Sequence, residues 1–169
     1  DSSFTLTPTC DGAISTITGL SGGSFSFNPI PTDGASINVL TGLVTGGVSG
    51  TTYTIEYTTA GTCPSASNQS FTVYPEVVLI LPTPLEVCDD GTPDGLTTID
   101  LSLKNTEISG NNPGYSVSYY LTQGDADTES SPLTIPYTNI SNPQTVFVRV
   151  EDIDTSCYDT TTLDLIVEQ

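Results

Sequence analysis

Apolar and polar residues alternate with period two along much of this chain. Phe25 and Phe27 share one face of Ser24–Asn28, and Tyr53, Ile55 and Tyr57 share one face of Thr52–Tyr57. Similar runs fill Ser36–Leu40, Ser70–Tyr74, Thr97–Leu101, Tyr115–Leu121, Gln144–Val150 and Thr162–Val167. Period two predicts strands, because successive side chains leave a strand on opposite faces. β-Branched and aromatic residues fill these runs and Gly, Pro, Asn and Asp bound them, the pattern of many short strands in a sandwich. Asp33-Gly34, Thr41-Gly42 and Gly46-Gly47 supply turns. Helical spacing is nearly absent. Leu103–Ile108 and Gly124–Glu129 are expected as single helical turns, with Asp125 or Asp127 capping the second. Tyr119 and Tyr120 must face opposite ways, so one of them is expected at the surface, where its ring could stack on a sugar.

The pattern breaks between Tyr74 and Pro84, where Pro75, Pro82 and Pro84 favour a semi-rigid connector. This predicts sandwiches over 1–76 and 85–169, joined through 77–84. The cysteines divide the chain at the same place. Cys10-Asp11-Gly12 opens the first half and Cys88-Asp89-Asp90-Gly91 opens the second. Tyr53 precedes Cys63 by ten residues, Phe147 precedes Cys157 by ten, and apolar pairs follow at equal offsets, Phe71/Val73 and Leu165/Val167. One plan used twice selects, from three pairings, an intradomain disulfide in each half: Cys10–Cys63 and Cys88–Cys157. Each would contribute about 4 kcal/mol in the chain-entropy account and would imply an oxidising, extracytoplasmic compartment.

Composition narrows the functions. The 169 residues hold 20 acidic and 2 basic side chains, a net charge of −18. Such a surface repels nucleic acid and anionic membranes, and no apolar run is long enough to span a bilayer. With no His and no Met, and with cysteines committed to structure, the equipment for nucleophilic or zinc catalysis is missing. A non-enzymatic binding or spacer module is expected, with no required cofactor. The start, Asp1-Ser2-Ser3, shows no signal peptide and reads as part of something larger.

The acidic residues cluster in the second half. Asp89, Asp90 and Asp94 share a Gly/Pro loop, and Asp152 and Asp154 precede the second cysteine. A Cys88–Cys157 bond would draw both groups to one end, where oxygen ligands suit Ca²⁺. A glycosidase would need a carboxyl of raised pKa in a cleft, which no spacing here indicates. Asn68-Gln69-Ser70 and Asn139-Ile140-Ser141 match the N-glycosylation sequon.

Several strings resemble the tandem extracellular repeats of very large type IX-secreted surface adhesins of gliding Bacteroidetes. They are Thr7–Ala13, Gly22–Pro31, Thr32–Gly46 and Gly50–Cys63, then Pro84–Gly95, Ser118–Asp127, Pro143–Asp152 and Cys157–Leu165. The resemblance spans nearly the whole chain. It implies an all-β fold of two immunoglobulin-like β-sandwich domains in tandem, at the cell surface and attached to the outer membrane. It implies a repeat unit that gives length and adhesion, with neighbouring repeats, surface glycans or other extracellular surfaces as partners. Asp159-Thr160-Thr161 resembles the short O-glycosylation motif of these bacteria, with Thr160 as acceptor. The alternative is an accessory carbohydrate-binding or spacer module of a secreted polysaccharide hydrolase.

Overall fold

The computed structural model describes residues 1–168, which form two compact units, Asp1–Glu76 and Val77 onward. The first holds seven strands: β1 (Phe4–Pro8), β2 (Ala13–Ile17), β3 (Ser24–Phe27), β4 (Ser36–Ile37), β5 (Val44–Thr45), β6 (Thr52–Thr58) and β7 (Ala66–Thr72). They make two antiparallel sheets, ordered β1-β2-β5-β4 and β3-β6-β7. Phe4, Ala13 and Val44 of one sheet meet Phe25, Tyr53, Ile55, Tyr57 and Phe71 of the other in a single core, which makes the unit sandwich-like. The inward residues of β6 are the ones its alternation marks, Tyr53, Ile55 and Tyr57. Both tyrosines keep their hydroxyls satisfied: Tyr57 Oη donates to the Leu20 carbonyl at 2.7 Å and Tyr53 Oη to Asp33 Oδ2 at 2.5 Å. The turn before β5 needs Gly42, whose φ is +68° and whose hydrogen faces Ser15 and Phe25 too closely for a Cβ.

The second unit contains β8 (Leu85–Cys88), β9 (Thr98–Ile99), a 3-10 turn (Leu101–Lys104), α1 (Asn105–Ile108), β10 (Tyr115–Tyr120), α2 (Gln123–Thr128), β11 (Tyr137–Thr138), β12 (Gln144–Asp152) and β13 (Tyr158–Glu168). Its main sheet runs β10-β12-β13-β8, with β8 parallel to β13, beside the two-stranded β11-β9 ladder. The two helical turns fall where they were expected. Thr122, rather than Asp125 or Asp127, caps α2, accepting from the Asp125 amide at 3.1 Å.

Tyr119 and Tyr120 are both buried, so neither offers the expected sugar platform. They do face opposite ways, but both faces of β10 are covered. Tyr119 Oη lies 2.8 Å from both the Leu101 carbonyl and Asn105 Oδ1, which share its one proton, and burial raises its pKa well above the usual phenol value. Tyr120 shares its face with Ser118, opposite Arg149, under α2.

The Pro-rich segment 77–84 is tied to the second unit. Val77 is buried, the Ile80 amide donates to the Ile108 carbonyl at 2.9 Å, and the Thr83 amide donates to Glu107 Oε1 at 2.6 Å. Lys104 Nζ donates to Glu107 Oε2 and to Thr83 Oγ1, each at 2.7 Å. The Lys104 bond, then the Thr83 amide, lowers the Glu107 pKa from 4.5 to about 2. A pKa depressed by folding gives stability that is present above the unfolded value and lost as pH falls through the folded one. Removing this carboxylate should therefore flatten the stability profile between about pH 4.5 and 2. Melting curves of wild type and Glu107→Gln across that window test this, with parallel profiles as the contrary result.

Candidate functional site: cysteines and acidic loops

Within each unit the first strand runs beside the last in the same direction, and this decides where the cysteines lie. In the first unit the Ser2 carbonyl accepts from Ser67 Oγ, and seven residues later the Thr9 carbonyl accepts from the Tyr74 amide at 3.1 Å. Cys63, in the β6–β7 turn, therefore lies near Ser2, since Ser65 and Ser2 are joined through their hydroxyls at 3.2 Å. Cys10 follows Thr9 at the far end of β1. Seven residues of strand separate the ends by roughly 23 Å, whereas disulfide-linked Cα atoms lie within about 7 Å.

The second unit repeats the arrangement. Leu85 stands opposite Leu165 and Cys88 opposite Glu168, while Cys157 precedes Tyr158, the first residue of β13. The whole length of β13, about 33 Å, intervenes. The predicted bonds Cys10–Cys63 and Cys88–Cys157 do not form: Cys63 and Cys88 are free and exposed, whereas Cys10 and Cys157 are disulfide-bonded. In a chain with four cysteines, the bond is Cys10–Cys157. It joins a residue of the first unit covalently to a residue of the second, and neither unit has an intradomain disulfide. Equal offsets had identified equivalent positions in the two halves, but equivalence is not proximity.

The same geometry separates the five aspartates expected to meet around Ca²⁺. Asp89, Asp90 and Asp94 lie at the Cys88 end, where the Asp89 amide donates to the Glu168 carbonyl at 2.9 Å. Asp152 and Asp154 lie at the Cys157 end, where the Asp152 amide donates to the Cys157 carbonyl at 2.8 Å. Most of these carboxylates are engaged by their own loops. Asp89 Oδ2 accepts from the Gly95 amide at 2.8 Å, Asp90 Oδ1 from Thr92 at 2.8 Å and Asp94 Oδ1 from Leu96 at 2.9 Å. Asp152 Oδ1 accepts from the Thr155 amide, the Thr155 hydroxyl and the Asp154 amide, and these bonds lower its pKa. Among the described residues no group of three or more Asp, Glu, Cys or His is placed to hold a metal. The melting temperature should therefore be the same in millimolar Ca²⁺ as in chelator at matched ionic strength. A rise specific to Ca²⁺ would show a site that this separation does not allow.

Thr160 stands in β13 opposite Arg149, half-buried, with its hydroxyl accepting from Gln123 Nε2 at 3.0 Å. Asn139 of the second sequon is buried. Its side chain accepts from the Thr97 amide at 2.7 Å and donates to the Gly95 and Ser141 carbonyls, each at 2.9 Å. Sequence reasoning missed Arg149, a buried cation that binds Glu151 and two carbonyls of α2. A lone Arg within the apolar run of β12 was its only signal.

These observations define a disulfide-bearing, all-β class of domain. Residues 84–169, just over half of the chain, match the family described as the Flavobacterium inter-domain disulphide bond domain. The chain belongs to that family, which supports a Bacteroidetes extracellular domain with neighbouring domains in the same chain. No curated protein matches it. Among solved structures it is similar to mouse cadherin-23 EC22-24, at 11% identity and TM-score 0.30, covering 96% of this chain and 60% of that one. It is also similar to protocadherin gamma B2 extracellular cadherin domains 3-6, at 13% identity and TM-score 0.30, covering 95% and 43%. The chain thus spans less than two thirds of either structure. No helix among the described residues is long and apolar enough to cross a membrane. Together with the disulfide-bearing family, this is compatible with an extracellular location.

Proposed function

We propose that the chain is a repeat unit of a large Bacteroidetes cell-surface adhesin or filament, two immunoglobulin-like sandwiches in tandem that give length and surface attachment. The observation that carries the reading is the disulfide with one cysteine in each unit. A spacer delivers reach only when the joints between its modules resist folding back. A covalent tie between modules limits that freedom. The shared placement of first and last strands in both units supports one plan used twice. A net charge of −18 keeps exposed sheet edges of neighbouring filaments apart by like-charge repulsion. The chain acts by binding and spacing, without catalysis.

The test is the parent protein. Its reading frame should contain many units of this kind, and antibodies to this chain should label intact cells. A parent that carries a hydrolase domain beside one or two such units would overturn the adhesin reading in favour of an accessory module.

A further inference from the structure

Away from the cysteines and the acidic loops, the second unit has a hollow of about 280 Å³ between α1 and the start of β10. On a chain with 20 acidic side chains, no charged residue lines it. Its polar wall is made of hydroxyls and carboxamides, and several of them are unspent. Ser109 is only 8% exposed, and its amide closes α1 by donating to the Asn105 carbonyl at 2.9 Å. Its hydroxyl has no partner among the described residues, yet no side-chain oxygen or nitrogen there is shut away unpaired. The Ser109 hydroxyl therefore opens on the hollow that the residue lines. Asn112 Oδ1 accepts from the Gly114 amide at 2.9 Å, which leaves its amino group to donate. Asn111, held at φ +60°, adds a second carboxamide.

The backbone of β10 supplies one more donor and one more acceptor. The Ile153 amide donates to the Gly114 carbonyl at 3.0 Å, so in this antiparallel ladder Val117 turns its N–H and C=O away from β12. That open edge is short. The Tyr115 amide is taken by the Asn112 carbonyl and the Tyr119 carbonyl by the Leu133 amide, so a peptide strand has no run to pair with. The Pro113 and half-buried Tyr115 rings complete the lining with apolar surface.

We infer that this hollow binds a neutral saccharide, holding one sugar ring of a glycan. Sugar hydroxyls both give and accept hydrogen bonds, as the Ser109, Asn111, Asn112 and Val117 groups require. The C–H face of a sugar ring packs on apolar and aromatic surface such as Pro113 and Tyr115. The volume stands at the small end for small-molecule sites. A cation would find no carboxylate in the wall, and an anion would meet the field of a chain at −18. The site lies wholly within the second unit, so it does not depend on the repeat-unit reading and would serve attachment in a filament or in an accessory module alike.

The experiment titrates the isotope-labelled, oxidised chain with glucose, galactose, mannose and N-acetylglucosamine while its amide resonances are followed by NMR. At least one sugar should give saturable shifts at millimolar concentration, centred on Ser109, Asn111, Asn112 and Val117. Ser109→Ala keeps the backbone bond to Asn105, and Asn111→Gly keeps the left-handed backbone; each should weaken binding about fivefold, as the loss of one hydrogen bond does, with the other amide resonances unmoved. No saturable shift with any of the four sugars would overturn the inference. So would equal shifts with glycerol or glucuronate, shifts centred elsewhere, or unchanged affinity in both variants. None of these results would touch the repeat-unit reading, which is decided by the parent reading frame.

Discussion

Pulled from its two ends, the oxidised chain is expected to lengthen by only a small fraction of what the reduced chain can release. The reason is the path of the load. Tension entering at Asp1 travels along β1 to Cys10, crosses the disulfide to Cys157 and leaves along β13. Residues 11–156 lie inside the covalent loop and carry no end-to-end stretch, whatever unfolds within them. At about 3.5 Å per extended residue, the segments outside the loop supply roughly 80 Å of contour, against roughly 590 Å for the whole chain. Reduction should therefore raise the maximum extension about sevenfold. Cys10→Ser should do the same without reductant, and because Cys10 is exposed the substitution leaves the core untouched. Single-molecule force spectroscopy on the chain held at its termini, with and without reductant, makes the measurement. Equal extensions would show that the bond does not lie in the load path, and would remove the mechanical argument for the filament reading. Under the filament reading proposed above, so short a release of contour would let a unit keep most of its length under shear.

The load path could not be reached from sequence alone, and the reason is specific. Alternation and turn residues were local signals, and they placed β3, β6, β10, β12 and the two helical turns well. The strand Thr162–Val167 was found but too short, since β13 begins at Tyr158. β1 (Phe4–Pro8) and β2 (Ala13–Ile17) lie outside the strands that the alternation predicts. The cysteine pairing depended on a non-local fact, that each unit's first strand lies parallel to its last. Offsets along a chain carry no information about that, so the right equivalences produced the wrong bonds. The two groups of aspartates lie apart for the same reason, because bringing them together needed the Cys88–Cys157 bond. The tyrosine pair illustrates another limit. Alternation gives the face a side chain takes, but whether that face is wet depends on what covers it, and α2 is a short acidic stretch with no apolar stripe to announce its role.

That cover is held by Arg149, and its removal is the substitution expected to cost the second unit most. Its guanidinium is buried and makes four hydrogen bonds from its planar fork. Nε and Nη2 donate to Glu151 Oε2 at 2.8 and 2.6 Å, and Nη1 donates to the Ala126 and Asp127 carbonyls at 3.0 and 3.2 Å. Those carbonyls belong to the last turn of α2, where helix carbonyls lack partners within the helix and a cation is favoured. One face of the fork stacks over Tyr158, with Cζ 3.5 Å from the ring centroid. Arg149→Ala would leave Glu151 without its partner and α2 without its anchor. Breaking a buried pair from one side costs about 3–5 kcal/mol. In a unit of this size that is a fall of more than about 10 °C in melting temperature. Arg149→Lys keeps the charge but not the fork, so it should recover only part of the loss. Arg149→Met combined with Glu151→Gln should be less harmful than Arg149→Ala, because no unpaired charge is left behind. Calorimetry of the four proteins separates these cases. A loss below about 0.5 kcal/mol for Arg149→Ala, the level of an ordinary surface change, would mean that α2 keeps its place over Tyr120 without this anchor.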